Sequence, residues 1–124
     1  MYEVSVDEQF AAAHNLRNYK GKCEDLHGHN YKLRVVLKGE ALDSTGLLCD
    51  FVHLKQVIRD VIRALDHKYL NELPPFVELN PSAENIARHI YDEISKQLHR
   101  TPNGAEVARI TVWETDTTAA TYRP

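Results

Sequence analysis

One cysteine and two histidines, Cys23, His27 and His29, lie within seven residues of the chain. The two histidines are separated by a single residue, so on a β-strand both imidazoles project to the same side and can reach one ion. Apolar residues continue the parity of these histidines, which predicts a strand from His27 to Lys38. Such a pair is a metal-ligand spacing, although it also occurs on polar surfaces.

A third histidine, His14, ends an earlier segment in which Tyr2, Val4 and Val6 alternate with polar residues. This alternation predicts a strand that runs toward His14. If the two strands pair, three imidazoles can converge. Three neutral nitrogen ligands favour zinc over magnesium or calcium, and they leave a fourth position for water or substrate.

The cysteine near the histidines has two possible roles. As a fourth ligand, Cys23 would complete a closed structural zinc site. As a nearby non-ligand, it would be a thiol whose pKa the metal lowers, suited to removing a proton from a bound substrate. Spacing alone leaves both roles open. We expect Cys49 to be a small buried residue and both thiols to be free.

An acidic residue and a histidine, Asp66 and His67, follow the first predicted helix. They form either a surface pair that compensates the helix dipole or an acid–base pair. The remaining histidines fall on predicted helices without metal-like partners, and we expect surface or amphipathic positions for His53, His89 and His99.

A glutamate near the C-terminus, Glu114, shares the parity of the apolar residues in its strand. A carboxylate on an apolar face must be paired. A ligand with a guanidine-like edge would pair it bidentately, and Arg109 or Arg123 is an equally good partner. The loop around the cysteine is basic, which suits either a solvated loop or a polyphosphate tail, and its basic residues are Arg17, Lys20 and Lys22.

The rest of the chain predicts two amphipathic helices and two further strands. Apolar residues at three- and four-residue spacings mark helices over 51–65 and 83–98, the first capped by Asp50 and the second by Asn80 or Ser82. Before the first helix, the "LDSTG" turn predicts a hairpin-like connection. The order ββααββ predicts one α+β domain over 1–124, with a four-stranded antiparallel sheet and two helices on one face.

Composition excludes several classes of function. The net charge of −3 and the pI near 6.1 provide no basic field for nucleic acid. No apolar run approaches the roughly 20 residues of a membrane span, and the first residues lack the features of a signal peptide. We therefore expect a cytoplasmic protein with neither nucleic-acid nor membrane partners.

The segment "CEDLHGH" resembles the CxxxHGH motif of the 6-pyruvoyltetrahydropterin synthase family, and specifically its bacterial 6-carboxytetrahydropterin synthase branch in queuosine biosynthesis. Further similar segments follow in family order, namely "FAAAHNL", "GLLCDFVHLK", "LDHKYLNE", "NPSAENIA" and "WETDTTAATY". Three residues between Cys23 and His27 match the carboxy branch, since animal pyruvoyl enzymes have a longer gap. A folate branch with glutamate at the cysteine position is disfavoured by Cys23.

This resemblance implies the T-fold, with sheets from several subunits joined in an oligomeric barrel. It implies a homo-oligomer, a hexamer built as a dimer of trimers, with active sites between subunits. It also implies site roles: zinc ligands His14, His27 and His29, general base Cys23, acid–base pair Asp66 and His67, and pterin anchor Glu114.

The implied reaction converts 7,8-dihydroneopterin triphosphate to 6-carboxy-5,6,7,8-tetrahydropterin, with release of triphosphate and acetaldehyde. The alternative within the family is a 6-pyruvoyltetrahydropterin synthase, which stops before the carbon–carbon cleavage. The alternative outside enzymes is a non-catalytic zinc-stabilised binding module with Cys23 as a ligand.

Overall fold

The computed structural model describes residues 1–98 and 101–124, so the expectation for His99 lies outside the described residues. The described chain forms one sheet with two α-helices packed on one face. Its strands are β1 (Tyr2–His14), β2 (His27–Gly39), β3 (Lys68–Tyr69), β4 (Glu106–Thr115) and β5 (Thr118–Tyr122). Its helices are α1 (Phe51–Arg63) and α2 (Ala83–Leu98), with 3₁₀ turns at Leu70–Glu72 and Pro74–Phe76. The α+β class and the predicted order of the main elements are confirmed.

The two long strands β1 and β2 pair antiparallel over their whole length. Their register sets His14 opposite His27 and Ala12 opposite His29. Residues directly opposite in a ladder point to the same face of the sheet, so this register gathers the three histidines on the helix-covered side. β2 continues the sheet through β4 to β5, in the order β3-β1-β2-β4-β5.

Both helices bury the apolar stripes that their sequences predict. In α1 the Asp50 carboxylate accepts a hydrogen bond from the backbone N–H of Val52 at 2.9 Å, as predicted for its N-cap. Of the two candidate caps for α2, the Ser82 hydroxyl accepts from the N–H of Asn85 at 3.2 Å. Among the described residues, no helix combines the length and apolar character that a membrane span requires.

Two features differ from the sequence prediction. The sheet has a fifth strand, β3, in which Lys68 and Tyr69 pair in parallel with Ala12 and Ala13 of β1. Two residues are too short to show an alternating pattern, so nothing local predicts this strand. The turn predicted at "LDSTG" forms, since the Asp43 N–H donates to the carbonyl of Leu47 at 2.8 Å and its carboxylate accepts from the N–H groups of Thr45 and Leu47, but the chain then leads to α1 without a pairing strand.

An aromatic pair lies in the core beneath the histidines. Tyr31 is fully buried, and its ring stacks on Phe10 with centroids 5.0 Å apart. The Tyr31 ring also meets the rings of His14 and His29 edge to face, at 5.9 and 5.4 Å. Its hydroxyl has no hydrogen-bond partner among the described residues. The ring therefore supports the histidines, whereas the hydroxyl contributes no bond to the fold.

This separation of ring and hydroxyl predicts different effects for two substitutions. Tyr31→Phe should leave the free energy of unfolding unchanged or raise it by about 1 kcal/mol, because it removes an unpaired buried hydroxyl. Tyr31→Ala should lower it by about 3 to 5 kcal/mol, because it leaves a cavity. Urea unfolding measures both values. A loss of more than about 1 kcal/mol in Tyr31→Phe would show that the hydroxyl has a partner.

Candidate metal centre and active site

Three imidazoles converge where β1 and β2 meet. The Nε2 atoms of His14 and His27 lie 3.1 Å apart, and the ring centroids of His27 and His29 are separated by 4.8 Å. The side chain of Glu114 joins them, and one ligand atom from each of the four residues lies within 4.8 Å of all the others. His14 is 1% exposed, so the group is buried on one side and open on the other.

The second ring nitrogens of two histidines are held by backbone carbonyls. His14 Nδ1 lies 2.7 Å from the oxygen of Pro81, and His27 Nδ1 lies 2.8 Å from the oxygen of Asp25. Because a carbonyl can only accept, both Nδ1 atoms donate to these carbonyls, and the Nε2 atoms face each other at 3.1 Å. A metal ion between them could bind both Nε2 atoms. This orientation of the unused nitrogen is the usual support of a metal-binding histidine.

The third histidine, His29, has its Nε2 atom 2.9 Å from Oε1 of Glu114. The contact is short, but it is not aligned as a hydrogen bond, and the nitrogen is buried without another partner. Burial lowers the pKa of His29, and the neighbouring imidazoles lower it further, whereas Glu114 acts in the opposite direction. The ring therefore favours its neutral, metal-binding form.

These donors fit a zinc ion. His14, His27 and His29 supply three imidazole nitrogens, which is a common catalytic zinc set, and Glu114 or an exogenous oxygen can fill the remaining position. The proposed arginine partner Arg109 is engaged elsewhere, because its guanidinium donates to Glu3 at 3.2 and 3.3 Å. Glu114 therefore faces the histidines rather than that arginine.

The cysteine of the motif lies outside this group of four. Cys23 is an exposed free thiol in the loop between β1 and β2, whereas Cys49 is half-buried and burial raises its pKa. The four side chains that converge include Glu114 and not Cys23. This arrangement favours the role of Cys23 as a nearby thiol over that of a fourth ligand.

The pair Asp66 and His67 lies just beyond α1 and is fixed to β1. The N–H of Ala11 donates to Oδ1 of Asp66 at 2.9 Å, and the N–H of His67 donates to the carbonyl of Ala11 at 2.6 Å. The other carboxylate oxygen lies 3.0 Å from His67 Nδ1. The Ala11 N–H and then His67 hold the pKa of Asp66 below its usual value. The carboxylate is thus an ionised partner that orients the imidazole.

His67 itself has an unusual backbone. Its φ of 58° lies in the left-handed region, which a residue with a side chain adopts at a cost when its surroundings enforce it. Its side chain is 81% exposed. An open cleft of about 510 Å³ is lined by His67 and, of the three histidines, by His29, so these two residues border one space.

The basic residues of the cysteine loop divide into two kinds. The Arg17 guanidinium donates to the backbone carbonyls of Asn71 and Phe76 at 3.1 and 2.6 Å, so it fastens the loop to the rest of the chain. Lys20 and Lys22 are exposed and point away from the core. Of the three residues considered for a polyphosphate tail, these two lysines retain free access to solvent.

Several polar residues that shape the site escaped the sequence analysis. Asn71 is 7% exposed, and its amide bonds both backbone groups of Asn15, at 3.0 and 2.8 Å. Tyr69 donates to the side chain of Asn15 at 3.0 Å. The carbonyl of Pro81, which orients His14, comes from a segment 67 residues away. Only long-range packing reveals these contacts, so no local spacing signals them.

Fold and site together define a class: an α+β domain with three histidines that could hold a metal at the end of two paired strands, an exposed thiol in the connecting loop and a carboxylate–imidazole pair. A sequence model of the 6-pyruvoyl tetrahydropterin synthase family matches residues 3–124. The chain therefore belongs to the 6-pyruvoyl tetrahydropterin synthase family of enzymes, which confirms the resemblance read from its motifs.

Individual relatives cover almost the whole chain. The 6-carboxy-5,6,7,8-tetrahydropterin synthase of Bacillus subtilis is 31% identical over 128 residues, covering 99% of this chain and 86% of that protein. The dihydroneopterin monophosphate aldolase of Pyrococcus furiosus is 38% identical over 114 residues, covering 92% and 87%. The solved structure of the Caenorhabditis elegans 6-pyruvoyl tetrahydropterin synthase superposes with a TM-score of 0.85 at 24% identity, covering 99% and 95%. This likeness confirms the T-fold.

The zinc content of purified variants distinguishes the two possible roles of Cys23, a metal ligand or a nearby thiol. Purified Cys23→Ala should retain zinc at the wild-type stoichiometry, because the converging donors do not include the thiol. His27→Ala should lose most of its zinc, because it removes one of three imidazoles. Metal analysis after dialysis, with Cys49→Ala as the matched cysteine control, measures both. Zinc loss in Cys23→Ala alone among the cysteine variants would make the thiol a ligand.

Proposed function

We propose that the protein is a zinc-dependent 6-carboxy-5,6,7,8-tetrahydropterin synthase that acts on 7,8-dihydroneopterin triphosphate in queuosine biosynthesis. The observation that carries the proposal is the convergence of three neutral imidazoles beside the Cys23 loop and the cleft of His67. The short Cys-to-His spacing and the Bacillus subtilis relative support the carboxy branch.

Glu114 is the proposed anchor of the pterin. Besides facing the histidines, it lines a cleft of about 400 Å³ together with Glu84, Thr118 and Thr121. A pterin presents two N–H donors side by side on its pyrimidine ring, and a carboxylate accepts both bonds at once. Binding the ring at this point would direct its side chain toward the three histidines.

The proton transfers fall to three side chains. Zinc held by His14, His27 and His29 would polarise the side-chain hydroxyls and acidify the neighbouring C–H bonds. The Cys23 thiolate takes a proton from carbon, and His67 delivers and removes protons as the side chain tautomerises. Asp66 holds the imidazole of His67 through Nδ1, which leaves Nε2 for the substrate.

The overall reaction balances without an outside reductant. The ring gains the two hydrogens that its side chain loses, while the triphosphate leaves from the terminal carbon. One water then adds to the first of two adjacent carbonyl carbons and the bond between them breaks, which gives a carboxylate on the ring and acetaldehyde. A pyruvoyl synthase would stop at the dicarbonyl side chain.

The working enzyme is proposed to be a homo-oligomer with active sites between subunits. Within one chain, the side chain of His67 is 81% exposed and Cys23 is exposed. Proton transfer at carbon benefits from a site that excludes water, which these exposed groups do not provide alone. A neighbouring subunit that covers the cleft would supply that exclusion, in agreement with the assembly implied by the resemblance.

The products distinguish this proposal from its alternatives. Zinc-loaded protein incubated with 7,8-dihydroneopterin triphosphate should yield a 6-carboxy tetrahydropterin and acetaldehyde, identified by mass spectrometry. Cys23→Ala should form neither. A 6-pyruvoyl product without acetaldehyde would identify the pyruvoyl reaction, and a 6-hydroxymethyl product would identify the aldol cleavage suggested by the Pyrococcus relative. No turnover by the folded, zinc-loaded oligomer would support the non-catalytic module.

Substitution of Glu114 tests the proposed anchor. Glu114→Gln should raise KM by at least about tenfold, because a neutral amide cannot accept two N–H bonds from the pterin. Its zinc content should equal that of the wild type, since three imidazoles remain. Steady-state kinetics and metal analysis give the two values, with Glu84→Gln as a neighbouring control. Loss of zinc with unchanged KM would instead make Glu114 a fourth ligand.

A further inference from the structure

The loop that carries Cys23 is a small hairpin with its own hydrogen bonds. At its tip, the N–H of Lys22 donates to the carbonyl of Tyr19 at 3.1 Å, and Lys20 and Gly21 take positive φ values of 51° and 84°. Two positive φ values in succession are the signature of a tight hairpin turn. Cys23 is the next residue after this turn, so one side of the thiol-bearing residue is fixed by the turn itself.

Glu24 fixes the other side of Cys23. Its N–H donates to the carbonyl of Leu16 at 2.9 Å, and its side-chain Oε1 accepts from the N–H of Leu16 at 3.0 Å. Its carbonyl accepts from the side chain of Asn15 at 3.1 Å. Three hydrogen bonds therefore join the residue after the cysteine to the first residues beyond His14.

This attachment connects the thiol to both strands of the histidine group. Leu16 lies two residues after His14, and Asp25, which follows Glu24, orients His27 through its carbonyl. Glu24 lies between Cys23 and His27 along the chain, and its hydrogen bonds connect it to Asn15 and Leu16, next to His14.

We infer that the Glu24 carboxylate is a positioning residue, which holds the Cys23 thiol against the three-histidine group by pairing the backbone N–H of Leu16. The inference rests on the proposed function for the role of Cys23. It assigns to Glu24 no proton transfer and no contact with substrate. Its function depends on an acceptor oxygen at this position and not on negative charge.

Two substitutions test whether Glu24 acts as a hydrogen-bond acceptor or through its negative charge. Glu24→Gln keeps an oxygen that can accept from Leu16, so its kcat should stay within about threefold of the wild type. Glu24→Ala removes the acceptor, and a misplaced base should lower kcat roughly 10- to 100-fold while KM and zinc content remain unchanged. Glu40→Ala is the matched control, because Glu40 is an exposed glutamate just beyond the end of β2 that is opposite to His27.

The alkylation of the thiol gives a readout that needs no turnover. In a Cys49→Ala background, the rate at which iodoacetamide alkylates Cys23 is measured at one fixed pH in the zinc-loaded protein. A thiol held near the metal should react faster than a free thiol, because a neighbouring cation favours the thiolate. In Glu24→Ala the rate should fall, and in Glu24→Gln and Glu40→Ala it should match the wild type.

The possible outcomes distinguish a failure of the positioning role of Glu24 from a failure of the proposed function. Alkylation and kcat in Glu24→Ala that equal those of the wild type would overturn the positioning role. A loss in Glu24→Gln as large as that in Glu24→Ala would show that the charge matters and would overturn it as well. If the wild type shows no turnover but the alkylation rates differ among the variants as expected, the proposed function fails while Glu24 still positions the thiol.

Discussion

The antiparallel register of β1 and β2 is the constraint on which the site depends. His14 pairs with His27 and Ala12 with His29, so three imidazoles share one face at one end of the ladder. A slip of one residue would turn every side chain of one strand to the opposite face and separate the ligands. The same alternation buries Tyr31 and the apolar residues after it, which means that packing of the core enforces the register that the histidines need.

The register of β1 and β2 alone does not fix the orientation of the imidazole rings. The carbonyls of Pro81 and Asp25 fix the protonated Nδ1 atoms of His14 and His27, and they come from the start of α2 and from the cysteine loop. The metal-binding nitrogens are therefore oriented by segments that the strands do not contain. The Asn71 side chain hydrogen-bonds to the backbone of Asn15 and thereby connects the same loop to the 3₁₀ turn at Leu70–Glu72. Helix, loop and turn thus all contribute to one ligand set.

The sequence predicted the parts of this structure that repeat along the chain. Alternation identified β1 and β2, including the shared face of His27 and His29, and three- and four-residue spacings identified both helices. It did not predict β3, because a two-residue parallel strand has no period of its own and forms only after α1 returns the chain to β1. The amide contacts of Asn71 join residues 56 positions apart, so they depend on packing rather than on local pattern.

Asp66 and His67 are held in a different way from the three histidines. His14 is buried by the chain's own core, and His27 and His29 are partly exposed, whereas His67 is held in the described chain at its backbone and by Asp66, with its ring left in solvent. A strained φ of 58° at such a residue is maintained because Ala11 of β1 bonds both to the His67 N–H and to the Asp66 carboxylate. These hydrogen bonds orient an imidazole that the single chain leaves open to solvent, so the orientation comes from the backbone of β1 and not from enclosure of the ring.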